Sequence, residues 1–349
     1  MASIMDKLKS NSKLDSEIIT KSKYYGKKDM ASTDVPMINV ALAGSLDGGL
    51  SPGVTILAGP SKHFKTSFAL KIASAYMQKH SDAVMLFYDS EFGSPQSYFE
   101  MFDIDMERVL HCPITNIEEL KFDLTNQLKE LSKNDKVVVV IDSLGNLASI
   151  KEVEDAMNEK SVADMTRAKQ LKSLFRIITP LLSMKEIPFI GIAHTYDTQE
   201  MFSKKVVSGG TGLYYSADDI WILGRRQNKE GTEIKGYDFV VNIEKSRYVK
   251  EKSIIPISVT WEGGVNLYSG LLDVAMAGKF VHKPSNGWYS KVDPETGEVE
   301  DKKYRAKELD GAFWESILKS DKFKTFVQNQ YKMGGSSNLE VVSPDEIEV

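Results

Sequence analysis

Cysteine is almost missing. Cys112 is the only one in 349 residues, which excludes an internal disulfide framework. Long apolar runs are missing too. None approaches the roughly 20 residues that cross a bilayer, and the opening M-A-S-I-M-D-K-L-K-S lacks the apolar stretch of a secretion signal. The few histidines, His63, His80, His111, His194 and His282, show no metal-ligand spacing. An excess of positive charge is also lacking: 44 basic residues stand against 49 acidic ones, for a net charge of −5. Such a chain is not expected to coat nucleic acid with its whole surface, so any DNA or RNA contact falls to a local groove or loop. Repeats and low-complexity blocks are absent. These absences describe a cytoplasmic protein with no membrane partner, long enough for one large domain and a smaller one, or two ordinary ones.

What is present is an alternation of strands and helices. Residues 1–30 are polar and Lys/Ser-rich, with Ile4, Met5 and Leu8 at helical spacing and a Tyr24–Tyr25 pair. They read either as a frayed tail or as an arm that docks on another subunit. From about residue 31, short apolar strands are expected at Val54–Ala58, Ala83–Tyr88, Val137–Ile141 and Ile187–Ala193. Helices are expected at Thr66–Lys79, Ile117–Leu131 and 161–185, the last from Val162, Met165, Leu171, Leu174, Phe175, Ile178, Leu181 and Leu182 recurring at three and four. The run V-V-V-V-I is β-branched throughout, as in a strand buried on both faces of a parallel sheet. The alternation predicts right-handed crossovers and ligand binding at the strands' carboxyl ends. Beyond Asp219 the pattern changes to strands joined by turns, at Ile220–Leu223, Tyr237–Ile243 and Ile254–Thr260. After about Ser269 a small mixed segment follows, and the last residues read as flexible and acidic.

The stretch G-P-S-K-H-F-K-T-S, Gly59, Pro60, Ser61, Lys62, His63, Phe64, Lys65, Thr66 and Ser67, sits between a predicted strand and a predicted helix. This is the context of a phosphate-binding loop, G-x-x-x-x-G-K-[ST], except that Phe64 replaces the second glycine. Backbone N–H groups and the helix N-terminus attract phosphate oxygens. Lys65 would reach the β- and γ-phosphates, and Thr66 would hold Mg²⁺. A positive φ at the sixth position would cost Phe64 about 1–2 kcal/mol. Asp142 closes V-V-V-V-I-D at the carboxyl end of a buried strand, where a carboxylate supports Mg²⁺ or its waters. Y-D-S-E at 88–91 lies just past another strand. Glu91 could orient an attacking water beside Asp89, or the cluster could simply cap a helix. His194 ends a fourth strand, either as a γ-phosphate contact or as a hydrogen-bonded loop histidine.

Residues 195–218 show no clean period, and long segments of that kind are usually functional or disordered. Tyr196, Met201, Phe202, Lys204, Lys205, Gly209, Gly210, Thr211 and Gly212 lie here, with Tyr214 and Tyr215. Glycines admit phosphates to the backbone, lysines add charge, and aromatic or apolar tips stack on bases. A nucleotide lid is the rival reading, and both can hold. In V-V-N-I-E-K-S-R, Lys245 and Arg247 fall on one side at period two. They read as a solvated strand end or as a basic pair for a phosphate bound by a neighbouring subunit.

The ordered set G-P-S-K-H-F-K-T-S, Y-D-S-E, V-V-V-V-I-D-S-L, I-G-I-A-H-T and S-G-G-T-G resembles the RecA family of strand-exchange recombinases, and within it the branch found in T-even bacteriophages. The resemblance spans roughly residues 20–330. It implies a RecA-like P-loop ATPase with a mostly parallel central sheet. A polymerisation arm would occupy 1–30, the core 31–270, and a small α+β domain with an acidic end 271–349. It implies ATP and Mg²⁺ bound between protomers of a helical filament on single-stranded DNA. Lys65 and Thr66 then take the phosphate and Mg²⁺ roles, Asp142 supports the metal through water, and Glu91 is the catalytic carboxylate. Tyr98 falls where the family stacks a ring on adenine. His194 stands where bacterial relatives carry a glutamine sensor, a trait of the phage branch, which also shares Phe64. The two halves of 195–218 become DNA-binding loops, and Lys245 and Arg247 reach the neighbour's ATP.

The expected function is a DNA-dependent ATPase that pairs single-stranded DNA with homologous duplex, in the cytoplasm of an infected bacterial host. A loading mediator and a single-strand-binding protein are possible partners. A ring-forming helicase motor on the same core, and a scaffold that binds ATP without turnover, are the alternatives. The absence of a long helicase-type N-terminal domain from this sequence weighs against the first, and the presence of Glu91 against the second.

Overall fold

The computed structural model describes residues 3–334, apart from 23, 25, 27, 159–165, 199–204, 231–232 and 261–263. Tyr25, Val162, Met165, Met201, Phe202, Lys204 and the acidic end at 335–349 lie outside the described residues.

The chain opens with helix α1 (Ile4–Asn11), started by a capping box between Ser3 and Asp6. None of its residues is buried, and Ile4, Met5 and Leu8 are exposed. Helix α2 (Pro36–Ala43) follows, with proline in its first turn and Gly44 in the left-handed region at its end. Then comes the alternation: β1 (Gly53–Ala58), α3 (Lys65–Lys79), β2 (Val84–Asp89), α4 (Gln96–Met101), β3 (Val109–Pro113), α5 (Ile117–Glu130), β4 (Val137–Asp142), α6 (Ile150–Met157), α7 (Thr166–Lys185) and β5 (Pro188–Ala193). A short hairpin of β6 (Thr195–Asp197) and β7 (Lys205–Val207) leads to α8 (Gly210–Ser216). Two long strands, β8 (Asp219–Glu230) and β9 (Glu233–Lys245), precede β10 (Ile254–Thr260) and β11 (Gly264–Val265). The chain ends on α9 (Leu271–Ala277), β12 (Val281–Ser285), β13 (Trp288–Lys291), β14 (Tyr304–Arg305), α10 (Gly311–Lys319) and α11 (Asp321–Tyr331).

Nine strands form one sheet in the order β11-β10-β9-β8-β1-β5-β4-β2-β3. Pairing is parallel from β3 across to β8 and antiparallel from β8 to β11. The fold is thus RecA-like α/β with a large, mostly parallel central sheet. Alternate residues of the central strands face opposite layers. Leu57, Val138 and Val140 join a core with α2 and α3, while Ile56, Val139 and Ile141 join one with α5 and α7. Burial on both faces explains why these strands read as continuous apolar runs. The three-stranded sheet β12-β13-β14 is separate from the nine-stranded one. Yet Phe313, Trp314, Ile317, Phe323 and Val327 of its two helices sit in the same apolar cluster as α2 and α3.

Three points depart from expectation. Strand β3 was not anticipated, because V-L-H-C-P is an edge strand with Leu110 and His111 exposed, and it carries no clean apolar period. Residues 195–218 are not irregular throughout. The strands β6 and β7 are three residues each, too short for a visible period, and α8 begins G-T-G, a poor helix former by composition. It forms against α7, with Leu213 buried. The strands expected at 220–223 and 237–243 are also longer than their apolar stretches, because both continue into an exposed ribbon.

Candidate nucleotide-binding site

The parallel strands end on one rim, and this rim gathers the residues singled out in the sequence. The loop 59–64 leaves β1, Glu91 follows β2, Asp142 ends β4 and His194 follows β5. Between them lies a cleft of about 460 Å³, lined by Ser61 to Ser67, Glu91, Gly93, Ser94, Tyr98, Asp142, His194, Arg225 and Tyr237. Gly59 and Pro60 form the start of the loop, and Pro60 supplies a carbonyl to it.

The loop's shape rests on two residues in the left-handed region, Lys62 (φ 61°) and Phe64 (φ 56°). Phe64 therefore adopts the conformation that a glycine would take without strain. Its ring is half-buried and packs on Phe239 of β9, centroids 5.1 Å apart at 42°. An aromatic pair of this kind contributes about 0.5–1.5 kcal/mol beyond its buried area, which offsets much of the backbone cost.

Lys65 is the first residue of α3, 7 % exposed, and its ammonium donates to the Pro60 carbonyl at 2.8 Å. Burial pushes its pKa down, while the carboxylates of Glu91 and Asp142 work in the opposite direction. The Thr66 hydroxyl donates to Asp142 Oδ2 at 2.7 Å. Burial pushes the Asp142 carboxyl up to about 6, helped by Glu91 and Asp89 and opposed by the Thr66 hydrogen bond and the Lys65 charge. A hydroxyl and a carboxylate oxygen at that spacing are hard oxygen donors. They suit Mg²⁺, which takes few protein ligands and keeps waters.

Glu91 is held by its neighbours. Asp89 Oδ1 accepts from the N–H groups of Glu91 (3.0 Å) and Phe92 (2.7 Å), an Asx turn that sets the loop's direction. Asp89 thus shapes the loop, a role its position in Y-D-S-E left open. Glu91 Oε1 accepts from the Ser143 hydroxyl at 2.6 Å and lies 3.3 Å from His194 Nε2. Ser143 is buried and follows Asp142 through a cis peptide bond. The His194 ring crowds Gly145, where a Cβ would stand 2.3 Å from the ring's Cδ2. Its carbonyl accepts from the Ser208 N–H at 2.8 Å, so the same residue closes the β6–β7 hairpin. Tyr98, on α4, lines the cleft and is partly exposed.

The remaining candidates lie elsewhere. Tyr196, Lys205 and Thr211 are exposed on the hairpin and the start of α8, with Lys205 Nζ 3.4 Å from Asp197. Gly209 (φ 117°) and Gly210 (φ 72°) make the turn into α8. Gly212 has a packing reason, since a Cβ there would come 2.7 Å from Lys172 Cα on α7. That contact alone is enough to require glycine at this position. Lys245 and Arg247 do not line the cleft of their own chain. Lys245 donates to the carbonyls of Tyr214 (2.8 Å) and Tyr215 (3.3 Å) at the end of α8, and Arg247 pairs with Asp218 while two-thirds exposed.

Sequence reasoning missed Ser143, Arg225 and Tyr237. The serine was visible in I-D-S-L but carried no motif role. Arg225 and Tyr237 sit on adjacent antiparallel strands, and nothing local says that these strands turn toward the loop.

A strand–phosphate loop–helix unit on a RecA-like sheet, with acidic residues at the ends of two neighbouring strands, defines a nucleotide-site architecture of the RecA class. The comparisons with known proteins agree. The family model of the RecA N-terminal domain matches residues 15–266, and that of the C-terminal domain of the bacteriophage T4 recombination and repair protein matches 268–327. The chain belongs to the RecA family. It is 52% identical over 341 residues to the recombination and repair protein of Enterobacteria phage T4, covering 96% of this chain and 87% of that protein. It is 26% identical over 279 residues to Protein RecA of Chloroherpeton thalassium, covering 77% and 76%. It is 24% identical over 322 residues to the mitochondrial DNA repair protein recA homolog of Dictyostelium discoideum, covering 86% and 68%.

Proposed function

We propose that this recombinase-family chain is a DNA-dependent ATPase that forms helical filaments on single-stranded DNA and exchanges that strand into homologous duplex. The observation that carries the reading is the convergence of Lys65, Thr66, Asp142, Glu91 and His194 on one cleft at the sheet's rim. In this reading the loop from Gly59 to Ser67 cradles the phosphates, and Tyr98 packs on the base. Thr66 and, through water, Asp142 hold Mg²⁺, which when bound neutralises charge on the transferring phosphoryl group.

The chain's own residues do the rest. Lys65 leaves the Pro60 carbonyl for a phosphate oxygen. Glu91 orients the attacking water, its carboxylate fixed by the Ser143 hydroxyl. His194 touches Glu91 with its ring and the hairpin with its carbonyl, so it couples the nucleotide to the segment 195–212. Tyr196, Met201, Phe202, Lys204, Lys205, Gly209, Gly210 and Thr211 belong to the DNA-contacting surface in this reading. Lys245 and Arg247 complete the site of the neighbouring subunit. Residues 1–30 serve as the polymerisation arm, 31–270 as the core and 271–349 as a domain that governs access to duplex DNA. A loading mediator and a single-strand-binding protein are the expected protein partners, and the host cell's cytoplasm the expected place.

The test is ATP hydrolysis with and without single-stranded DNA, in the wild type and in Glu91→Gln. Stimulation by DNA in the wild type is expected. A fall of about 100-fold or more is expected in the variant, with nucleotide binding kept. Equal rates with and without DNA would refute the reading.

A further inference from the structure

The ribbon formed by β8 and β9 reaches the phosphate loop at two places. Phe239 lies under Phe64, as described above. Arg225, directly opposite Phe239 in the β8–β9 pairing, donates from Nη1 to the Lys62 carbonyl at 2.8 Å. Its guanidinium carbon stands 4.4 Å from the ring centroid of Tyr237, two residues from Phe239 on β9. Each contact meets one of the two left-handed residues of the loop, Lys62 and Phe64. The loop's conformation is therefore buttressed from outside by one ribbon.

Arg225 has capacity beyond that contact. A guanidinium carries five N–H donors in a rigid plane, and the Lys62 carbonyl takes one of them. Among the described residues no carboxylate pairs with Arg225, although its side chain lines the cleft beside Lys65. On this side of the cleft the basic residues Lys62, Lys65 and Arg225 gather, while Glu91 and Asp142 line it as well. His63 is held below the ordinary histidine range by burial first, and then by the charges of Arg225, Lys65 and Lys205. A planar cation seated on an aromatic ring is already oriented, so little freedom is lost when it binds an anion. An ordinary solvated arginine has no such seat and no such tether.

We propose that Arg225 is a positioning residue of the nucleotide site. It holds the phosphate loop by the Lys62 carbonyl and turns its remaining N–H groups to the polyphosphate of a bound nucleoside triphosphate. This rests on the proposed nucleotide function, and the test separates the two.

The experiment measures equilibrium binding of ATP, ADP and AMP to the full chain with Mg²⁺ and no DNA, by competition with a fluorescently labelled ADP. The proteins are wild type, Arg225→Gln, Arg225→Lys, Arg225→Ala and Lys65→Ala. Arg225→Gln keeps a donor for the Lys62 carbonyl and removes the charge, so it should melt near the wild-type temperature. Hydrogen bonds to charged groups predict that it weakens ATP and ADP about tenfold to a hundredfold. AMP, with a single phosphate, should be weakened far less. Arg225→Lys should recover only part of the loss, because an ammonium lacks the planar face. Wild-type affinity for ATP and ADP in both Arg225→Gln and Arg225→Ala overturns the proposal. So does an equal loss for all three nucleotides, which is loop support alone. Normal ATP binding by Lys65→Ala would instead overturn the nucleotide-site reading itself.

Discussion

Replacing Phe64 separates two terms that the wild type combines. Its backbone lies at φ 56°, ψ 23°, a left-handed conformation that costs a residue with a Cβ about 1–2 kcal/mol. Its half-buried ring packs on Phe239 at 5.1 Å. Removing the ring loses an aromatic pair worth about 0.5–1.5 kcal/mol and part of the roughly 1.5–3 kcal/mol that full burial of such a side chain provides. Phe64→Ala loses the ring and keeps the strain, so it should destabilise the apo protein by about 2–3 kcal/mol. Phe64→Gly loses the same ring and relieves the strain, so it should fall within about 1 kcal/mol of wild type. The Gly variant should thus be the more stable of the two, reversing their usual order inside or beside a helix. Urea unfolding of the nucleotide-free proteins measures the difference. Nucleotide binding should survive in Phe64→Gly with weaker affinity, since the loop loses the contact that fixes it. If Phe64→Ala proves as stable as Phe64→Gly, left-handed strain does not govern this loop, and if both match the wild type, the Phe239 contact does not either.

Asp219 is buried, accepts a hydrogen bond from the Ser246 hydroxyl, and has its carboxyl pushed up to about 7, chiefly by burial. An acid raised above its ordinary 3.8 favours folding at low pH, and that contribution is lost as pH rises from about 4 through 7. Asp219→Asn should remove the loss. Its stability relative to wild type should rise by up to a few kcal/mol between pH 5 and pH 8 in urea unfolding, and parallel curves would refute this. Gly212→Ala should lower stability by about 1–3 kcal/mol through overpacking against Lys172. Thermal melting should show the drop, while affinity for ADP stays unchanged. Arg247→Ala and Lys65→Ala should each abolish DNA-stimulated hydrolysis alone. Mixed on one DNA, the first supplies intact phosphate loops and the second supplies Arg247, so part of the turnover should return. No recovery on mixing would place Arg247 in the service of its own chain.

Much of this was legible along the chain. The candidate phosphate loop, Asp142, Glu91 and His194 each sit at or just past the end of a buried strand, and the strands announce themselves because both faces are covered. Strand ends on one side of a parallel sheet must share a rim, so linear order alone predicts their convergence. The hairpin within 195–218, the edge strand at Val109–Pro113 and the helix at Gly210–Ser216 were not legible. Their residues are too few, too exposed or too glycine-rich to carry a period, and α8 exists because α7 offers it a surface.

The sequence by itself determined which family the chain belongs to, and it marked a candidate phosphate loop and the acids beside it, since all three are written in short contiguous runs. Only the tertiary structure decided how Phe64 can replace a glycine, why Gly212 has no side chain, and that Arg225 and Tyr237 face the cleft. Each depends on a residue more than thirty positions away, brought close by strand pairing or helix packing. The side-chain pattern of a strand tells which face is buried, but not which distant loop lies beside it.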